Sequence, residues 1–487
     1  MADMTKNRTA WLLVGIIIIA LFLRSYRLAE VPPGLYPDEA MDGTNAQEAI
    51  ATGQYKVYYP ENNGREGLFM NIQAEFLKVI LPFAHNEPEP WMLRFVSMAC
   101  GTLTVLGLYF LGRELFSKRV GLLAAFFIAT NFWHINFSRI SFRAIMAPLC
   151  LVWAAFFFLY AVKREKKFEK YAAAVLGGLV FGAGFYTYIA YRVAPLLFLL
   201  FIPFFRKHAD FWKVAAVYVA VTFFTALPIG LYYLHNPADF FGRTTQVSVM
   251  SSKTPLADLA WNVVKTAGMF NFVGDMNPRH NVSGRPELFA PVGALFLIGL
   301  VLGLIALKKK PDERFSFLFI FGWATLAALP VVISNEGLPH ALRSILLIPP
   351  VILLAAFAAE RVYHVMRDKW PKYLTIIVTV LFLALLPVEA YHTYFVLFAN
   401  AADTPGAFAA DYVTIGHAIR ALPTSTLKYV VVEAGGVDVR GIPMPAQTVM
   451  YITDSFTPEK QAEKNIYYVL PKDENRIPAG AVIFRLK

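Results

Sequence analysis

The sequence predicts an all-α polytopic membrane protein with about eleven transmembrane helices, long extracytoplasmic loops and a small extracytoplasmic α/β domain near the C-terminus. Hydrophobic residues make up 57% of the 487 residues and charged residues only 16%, against about 45–50% and about 25% in soluble domains. The mean hydropathy is +0.49. The net charge of 45 − 34 = +11 comes from basic residues clustered in short loops, so it indicates membrane topology rather than nucleic-acid binding.

The transmembrane prediction rests on apolar segments that recur along the chain, since a membrane span needs roughly 20 apolar residues. The segments run over 11–23, 92–112, 120–137, 144–162, 171–190, 193–205, 214–234, 288–307, 315–333, 345–360 and 373–390. The first is read as an uncleaved span, because no small-residue cleavage site follows it. Cys100 and Cys150 both lie inside apolar segments, which argues against a disulfide framework or a cysteine metal site.

The orientation follows from the basic loops. Clusters of Lys and Arg lie before the first span and in 113–119, 163–170, 206–213, 308–314 and 361–372. All six fall on one side when eleven spans are counted, and the positive-inside rule makes that side cytoplasmic. We therefore expect an integral protein of the plasma or inner membrane with a cytoplasmic N-terminus and an extracytoplasmic C-terminus.

Two domains are predicted. Residues 1–390 form a transmembrane domain with long outer loops at 24–91 and 235–287, and residues 391–487 form a soluble α/β domain. Within them, patterning predicts helices over 39–51, 67–80 and 407–421, and strands over 429–432, 448–452, 467–470 and 481–486.

The first outer loop carries the most informative pair, Asp38-Glu39, shortly after a Pro32-Pro33-Gly34 turn. A carboxylate above the membrane surface can serve as a general base for a hydroxyl acceptor. The alternative is that Asp38 only caps a helix that begins near Glu39. Because the predicted spans contain almost no ionisable residues, an ion-coupled transporter is less favoured.

Further polar groups gather on the predicted outer side. They are Arg65, Glu66, Arg139, Arg143, Tyr188, Arg192, Asp275, Arg279, His280, Glu336, His340 and Arg343. Arginine forks suit phosphate oxygens, so these groups together predict a phosphate-bearing donor. The structural alternatives are interfacial anchoring for Arg139, Arg143 and Arg192, and capping of the following span for His340 and Arg343.

The layout resembles the GT-C glycosyltransferases, in the glycosyltransferase family 39-like branch that contains protein O-mannosyltransferases and the aminoarabinose transferase of lipid A. The residues that carry the resemblance are Leu23-Arg24 to Leu28, Gly34-Leu35-Tyr36-Pro37-Asp38-Glu39-Ala40 and Phe137-Ser138-Arg139-Ile140. It covers roughly residues 8–350.

The resemblance implies a GT-C fold and an inverting transfer of sugar from a polyprenyl-phosphate donor to an extracytoplasmic protein, lipid or glycan. Asp38 matches the family's catalytic aspartate and Glu39 its neighbour. Arg139 matches the position associated with the donor phosphate, a role also expected for Arg65, Arg192, His340 and Arg343. Further candidates are Glu66, Arg143, Tyr188, Asp275, Arg279, His280 and Glu336.

The sequence departs from the family at two places. Arg65-Glu66-Gly67 stands where relatives carry a basic residue followed by two prolines, and Ser141-Phe142-Arg143 stands where they often carry a second acid. A second acid would have to be Glu66, Asp275 or Glu336. We expect no required cofactor and no metal ligands, with Mg²⁺ or Mn²⁺ as the alternative, and we predict no oligomeric state.

Two other functions stay open at this point. One is a polymerase or ligase acting on diphosphate-linked glycans, which the basic residues of 277–285 and 340–343 could serve. The other is a transporter or flippase of lipid-linked sugars, which paired broken spans in two halves would favour.

Overall fold

The computed structural model describes residues 2–246, 249, 252–334 and 337–487. The α-helices are α1 (Ala2–Ser25), α2 (Pro37–Thr52), α3 (Leu68–Ile80), α4 (Pro90–Leu115), α5 (Lys118–Thr130), α6 (Phe132–Phe137), α7 (Met146–Lys163), α8 (Lys167–Gly184), α9 (Ala194–Phe198), α10 (Phe201–Phe205), α11 (Phe211–His235), α12 (Pro237–Gln246), α13 (Pro255–Gly268), α14 (Ala290–Lys309), α15 (Pro311–Val332), α16 (Ile348–Lys369), α17 (Lys372–Tyr391), α18 (Thr404–Ala407), α19 (Ala410–Arg420), α20 (Ala446–Thr453) and α21 (Pro458–Lys464). The strands are β1 (Tyr58–Tyr59), β2 (Arg65–Glu66), β3 (Lys428–Val432), β4 (Asp438–Val439), β5 (Ile442–Pro443), β6 (Ile466–Val469) and β7 (Val482–Leu486).

Eight helices in the described part of the chain are long and apolar enough to cross a membrane. They cover Arg8–Ser25, Pro90–Leu115, Arg143–Lys163, Phe211–His235, Ala290–Lys309, Pro311–Val332, Ile345–Lys369 and Lys372–Phe398. The predicted count of eleven is therefore not confirmed. The segments predicted at 120–137 and 193–205 form shorter helices. The first is divided because Asn131 ends α5 and its side chain caps α6 by accepting from the His134 amide. The segment 171–190 falls on α8, an 18-residue helix whose start carries Lys167, Glu169 and Lys170, and α8 is not among the eight.

The chain divides into two compact units. The helical unit comprises Met1–Tyr26, Met98–Ser138 and Ala144–Phe398, and the loop unit comprises Arg27–Ser97, Arg139–Arg143 and Ala399–Lys487. In the helical unit α16 packs against both α5 and α14, and α8 packs against both α7 and α11. The first half of α16 is almost completely buried, whereas α11 exposes Val219, Phe223 and Phe224. Exposed apolar faces of this kind suit contact with lipid chains.

The loop unit combines the first long loop with the C-terminal region. Its main sheet has the order β6-β3-β7, and all three strands are parallel. Helix α20 lies between this sheet and α2: Thr44 donates to Gln447 Oε1 at 2.9 Å, and Gln47 donates to the Tyr451 carbonyl at 3.1 Å. The C-terminal region and the first loop therefore share one core.

Most predicted elements of the loop unit are present, with one correction. Residues 448–452, predicted as a strand, lie in helix α20. All eight residues of α20 are buried, including the polar Gln447, Thr448 and Thr453, so no exposed face marks a helical period in the sequence. A short apolar run of this length does not distinguish a strand from a buried helix.

Candidate active site

The candidate site is built on the first turn of α2 and on the β1-β2 hairpin. Asp38 and Asp42 are four residues apart, so both side chains lie on one face of α2. The hairpin pairs Tyr58 with Glu66 and Tyr59 with Arg65. Between its strands, Asn62 has a positive φ of 52°, which asparagine tolerates better than most residues. The hairpin thereby carries Asn62 and Arg65 to the acidic face of α2.

Arg65 joins the two aspartates. Its Nη2 contacts Asp38 Oδ1, its Nη1 lies 2.5 Å from Asp42 Oδ1, and Nη1 also donates to the Asp38 carbonyl at 2.8 Å. Asn62 Nδ2 donates to Asp38 Oδ1 at 2.6 Å. Burial raises the pKa of Asp42 above its ordinary value, although the Arg65 charge opposes the change. Burial also disfavours charge on Arg65, but the two carboxylates outweigh it and raise the pKa of the guanidinium.

The four acids around this hairpin differ sharply in exposure. The Asp38 side chain is 35% exposed, whereas those of Asp42, Glu66 and Glu39 are 2%, 4% and 0% exposed. A general base has to come within hydrogen-bond distance of the hydroxyl it deprotonates. Among these four acids, Asp38 is the one that an incoming substrate can reach.

Glu39 is held by buried groups on three sides. Arg94 Nε and Nη2 donate to its two carboxylate oxygens at 3.2 and 3.3 Å, and the Ser141 amide donates to Oε2 at 2.7 Å. The Tyr36 amide donates to Oε1 at 3.3 Å, closing a capping box at the start of α2. Glu39 therefore fixes the helix on which Asp38 stands.

Arg139 and Arg143 are placed differently from each other. The Arg139 side chain is completely buried and donates to the Val31 carbonyl at 2.9 Å, so here it stabilises the loop. Arg143 Nε lies 3.1 Å from Glu66 Oε2, and its side chain is 11% exposed. In this structure the loop unit therefore uses Arg65, Arg139 and Arg143 to hold its own carboxylates and carbonyls.

A second polar cluster lies in the helical unit, between α13 and α14 and just before α16. Asp275 Oδ2 lies 2.9 Å from His280 Nδ1 and 3.9 Å from His340 Nδ1. The Ala341 amide donates to the same oxygen at 2.8 Å. No metal ligands were predicted from the sequence, yet these three side chains place their ligand atoms within 4.8 Å of one another.

The protonation of this cluster follows from burial and from nearby arginines. Burial, with the charges of Arg279 and Arg343, lowers the pKa of His280. Burial and His280 lower the pKa of His340 to about 3. Burial alone would raise the pKa of Asp275, but the His280 hydrogen bond lowers it. Both imidazoles are therefore neutral near pH 7, and the carboxylate is ionised.

The other predicted residues are spread over the helical unit. Arg343 donates to Ser334 Oγ, and the Arg279 carbonyl accepts from Asn136. Arg192 belongs to neither cluster: it donates to the Phe240 carbonyl at 2.7 Å and stacks 4.2 Å from the Phe240 ring centroid. Tyr188 directly precedes the short helix that contains Arg192. Glu336 lies outside the described residues.

Sequence reasoning missed several residues that shape these clusters. Asp42 could have been found from its spacing of four residues from Asp38. Arg94 lies near the start of a span, where interfacial anchoring is the usual role, and only the fold shows its contact with Glu39. Glu287 is buried, its Oε1 accepts from the Asp275 amide at 3.0 Å, and burial raises its pKa well above the ordinary value. No sequence pattern marks Glu287.

Comparisons with known proteins agree with this architecture. Residues 76–230 match the family model "Dolichyl-phosphate-mannose-protein mannosyltransferase", and no curated protein matches the sequence. The apo oligosaccharyltransferase of Archaeoglobus fulgidus is similar in structure, with a TM-score of 0.59 and 14% identity over 98% of this chain and 67% of that one. A complex of the archaeal enzyme with an inhibitory peptide and a dolichol-phosphate gives a TM-score of 0.58 and 15% identity, covering 92% of this chain and 64% of the other. This chain therefore spans about two thirds of the archaeal enzyme's length.

A shorter enzyme matches over nearly its whole length. ArnT from Cupriavidus metallidurans bound to undecaprenyl phosphate gives a TM-score of 0.59 and 15% identity, covering 94% of this chain and 90% of that one. At this identity the likeness establishes the fold. The predicted resemblance is confirmed: the chain is an integral membrane protein with the fold of the GT-C glycosyltransferases, and its residues 76–230 match their protein mannosyltransferase family.

Proposed function

We propose that this protein is a glycosyltransferase that moves a sugar from a polyprenyl-phosphate donor to a hydroxyl acceptor outside the cytoplasm, with inversion and with Asp38 as the general base. The observation that carries the assignment is the exposure of Asp38 within a rigid cluster whose other three acids are buried. The architecture shared with membrane glycosyltransferases, two of them in complexes with polyprenyl phosphates, supports the reaction class.

The chemistry of the first loop fits this role. Arg65 and Asn62 both contact Asp38 Oδ1, so the carboxylate is held in one orientation. In the proposed reaction Asp38 accepts the acceptor's hydroxyl proton while the oxygen attacks the anomeric carbon from the face opposite the phosphate. The bond from that carbon to the phosphate oxygen breaks, and the polyprenyl phosphate leaves with the electron pair. An ionised carboxylate also stabilises an oxocarbenium-like transition state.

Arg192, His340 and Arg343 stay the candidates for stabilising the leaving phosphate. Fixed cations stabilise developing negative charge most strongly where water is scarce. Arg65 and Arg139 are less suited to this role, because Arg65 binds two aspartates and Arg139 is buried against a backbone carbonyl.

The proposed orientation keeps the N-terminus in the cytoplasm and puts both clusters and the C-terminal region outside. The excess of basic residues in the short loops supports it. A lipid tail that stays in the bilayer would then hold the donor phosphate at the height of the outer span ends.

The test is transfer by purified wild-type protein and by Asp38→Asn, with Glu75→Gln as the matched control. Glu75 is an exposed acid of the same unit, paired with Lys78. We expect Asp38→Asn to lower kcat about 10²–10⁴-fold, with unchanged donor binding, and Glu75→Gln to behave as wild type. Asp38→Asn turnover within a small factor of wild type would refute the assignment.

The donor class is tested in the same assay by comparing polyprenyl monophosphate and diphosphate sugars of one chain length. Turnover of the monophosphate donor is expected. Turnover of the diphosphate donor alone would replace the proposal with the polymerase or ligase alternative.

A further inference from the structure

We propose that Asp275, His280 and His340 form a binding site for a divalent transition-metal ion, and that zinc fits it best. The site belongs to the helical unit and contains none of the residues of the Asp38 cluster. Its existence does not depend on the proposed transferase reaction.

The distances suit one small ion. Zinc bonds to histidine nitrogen at about 2.0–2.1 Å and to carboxylate oxygen at about 2.0–2.2 Å, which places neighbouring ligand atoms about 3.3 Å apart in a tetrahedron. Here Asp275 Oδ2 lies 2.9 Å from His280 Nδ1 and 3.9 Å from His340 Nδ1. Changes of about 0.4 and 0.6 Å bring these two distances to the required value, and all three ligand atoms lie within 4.8 Å of one another. The ion takes the place of the hydrogen that His280 and Asp275 share.

The ligands are held in place by backbone groups. The Ala341 amide donates to Asp275 Oδ2 at 2.8 Å and the Asn277 amide to Oδ1 at 2.8 Å, so the carboxylate cannot rotate freely. These two hydrogen bonds to the carboxylate lie outside the metal position, and outer hydrogen bonds of this kind orient ligands and commonly raise metal affinity. The Arg343 amide donates a long hydrogen bond of 3.4 Å to His340 Nδ1, which has to break when that nitrogen binds the ion. The side chains of Asp275 and His280 are 3% and 4% exposed, so their positions are set by packing as well.

The ligand types select the metal. Two imidazoles and one carboxylate suit zinc and its transition-metal neighbours, whereas magnesium and calcium prefer oxygen ligands alone. Three protein ligands leave one coordination position of a tetrahedral ion for an outside group, the arrangement that reactive zinc sites share.

The test is zinc binding to the full-length protein in detergent micelles, stripped with a chelator and then dialysed against buffered Zn²⁺, with the metal counted by mass spectrometry. The variants are Asp275→Asn and His340→Gln, and the control is His417→Gln. His417 is matched to the site because it also pairs with a carboxylate, Glu89, at 3.2 Å, but it has no second histidine. Thermal unfolding of each variant without metal reports whether it folds.

We expect one zinc ion bound by wild type and by His417→Gln, with at least a tenfold weaker affinity in both site variants. Magnesium in the same dialysis should not compete. If Asp275→Asn fails to fold, the less buried His340→Gln decides the result alone. Unchanged zinc binding in His340→Gln would overturn the proposal, as would equal binding of magnesium. Because the measurement counts metal, it stands whether or not transfer is ever observed.

Discussion

Replacing Glu39 with Gln separates a structural role for Glu39 from a catalytic role for Asp38. The Glu39 carboxylate receives two donors from Arg94 and two from backbone amides, at 2.7–3.3 Å. Every one of these partners is a donor. Whichever way the glutamine amide is turned, its NH₂ group therefore faces donors, and the buried Arg94 guanidinium loses its compensating charge.

The magnitude follows from this geometry. Hydrogen bonds to charged groups contribute about 1.5–3 kcal/mol each, and removing one partner of a buried ion pair costs about 3–5 kcal/mol. The side chains of Arg94 and Glu39 are both 0% exposed, so solvent does not screen the interaction between them. We expect Glu39→Gln to lower the free energy of unfolding by about 3–5 kcal/mol. Asp38→Asn should cost about 1 kcal/mol, because Arg65 keeps Asp42 as a partner and Asp38 is partly exposed.

The assay is equilibrium unfolding in mixed micelles, followed by tryptophan fluorescence, with Glu75→Gln as the surface control. Transfer activity is measured on the same preparations at a temperature where all variants are folded. A Glu39→Gln protein within about 1 kcal/mol of wild type would refute the reasoning. So would a loss of stability in Asp38→Asn as large as in Glu39→Gln.

Two further predictions concern the packing of the loop unit. Burial alone would raise the pKa of Glu61, but the Arg440 hydrogen bond lowers it. An acid whose pKa is lower in the folded state stabilises the fold at pH values above its unfolded-state pKa, and this stabilisation is lost as the pH falls through the folded-state pKa. Arg440→Ala should therefore lower the free energy of unfolding by about 0.5–1 kcal/mol at pH 7, since solvent partly screens the pair. In unfolding measured as a function of pH, the difference from wild type should shrink below the ordinary pKa of 4.5. A difference that does not depend on pH would contradict the pairing. Gly43→Val should destabilise by about 1–3 kcal/mol in chemical unfolding, because even a Cβ at Gly43 would lie 2.6 Å from the Tyr451 ring. Gly230→Ala, which meets no atom within 4 Å, is its control, and equal effects of the two substitutions would contradict the close contact.

The sequence predicted a helical membrane protein and the helix that carries Asp38, because both depend on local properties. A long apolar segment can be identified without knowing what it packs against. The helix Pro37–Thr52 is indicated by the proline and the acidic residues at its start. The short segments were harder to predict. Asn131 could be recognised as a helix cap only after α5 was known to end beside it, and α20 has no exposed polar face that would reveal a helical period.

The partners of the charged residues could not be predicted, because they are set by contacts far apart in sequence. Arg139 was predicted to bind the donor phosphate, yet its side chain is buried and donates to the Val31 carbonyl. Arg94 looks like an anchor and instead holds Glu39. His280 and His340 are separated by 60 residues, since 340 − 280 = 60, and a single aspartate brings them together. Exposure, which distinguishes Asp38 from its three acidic neighbours, has no sequence signature at all.

The packing of α20 against α2 has a consequence for biosynthesis. Gln47 donates to the carbonyl of a residue 404 positions later, so the helix that carries Asp38 cannot reach its final environment until residues 446–453 have been made. At translation rates of about 5–20 residues per second, that delay is roughly 20–80 s. During this interval the first loop lacks the helix that covers it, and its exposed apolar face would be a target for chaperones. The candidate site would thus be among the last parts of the protein to become complete.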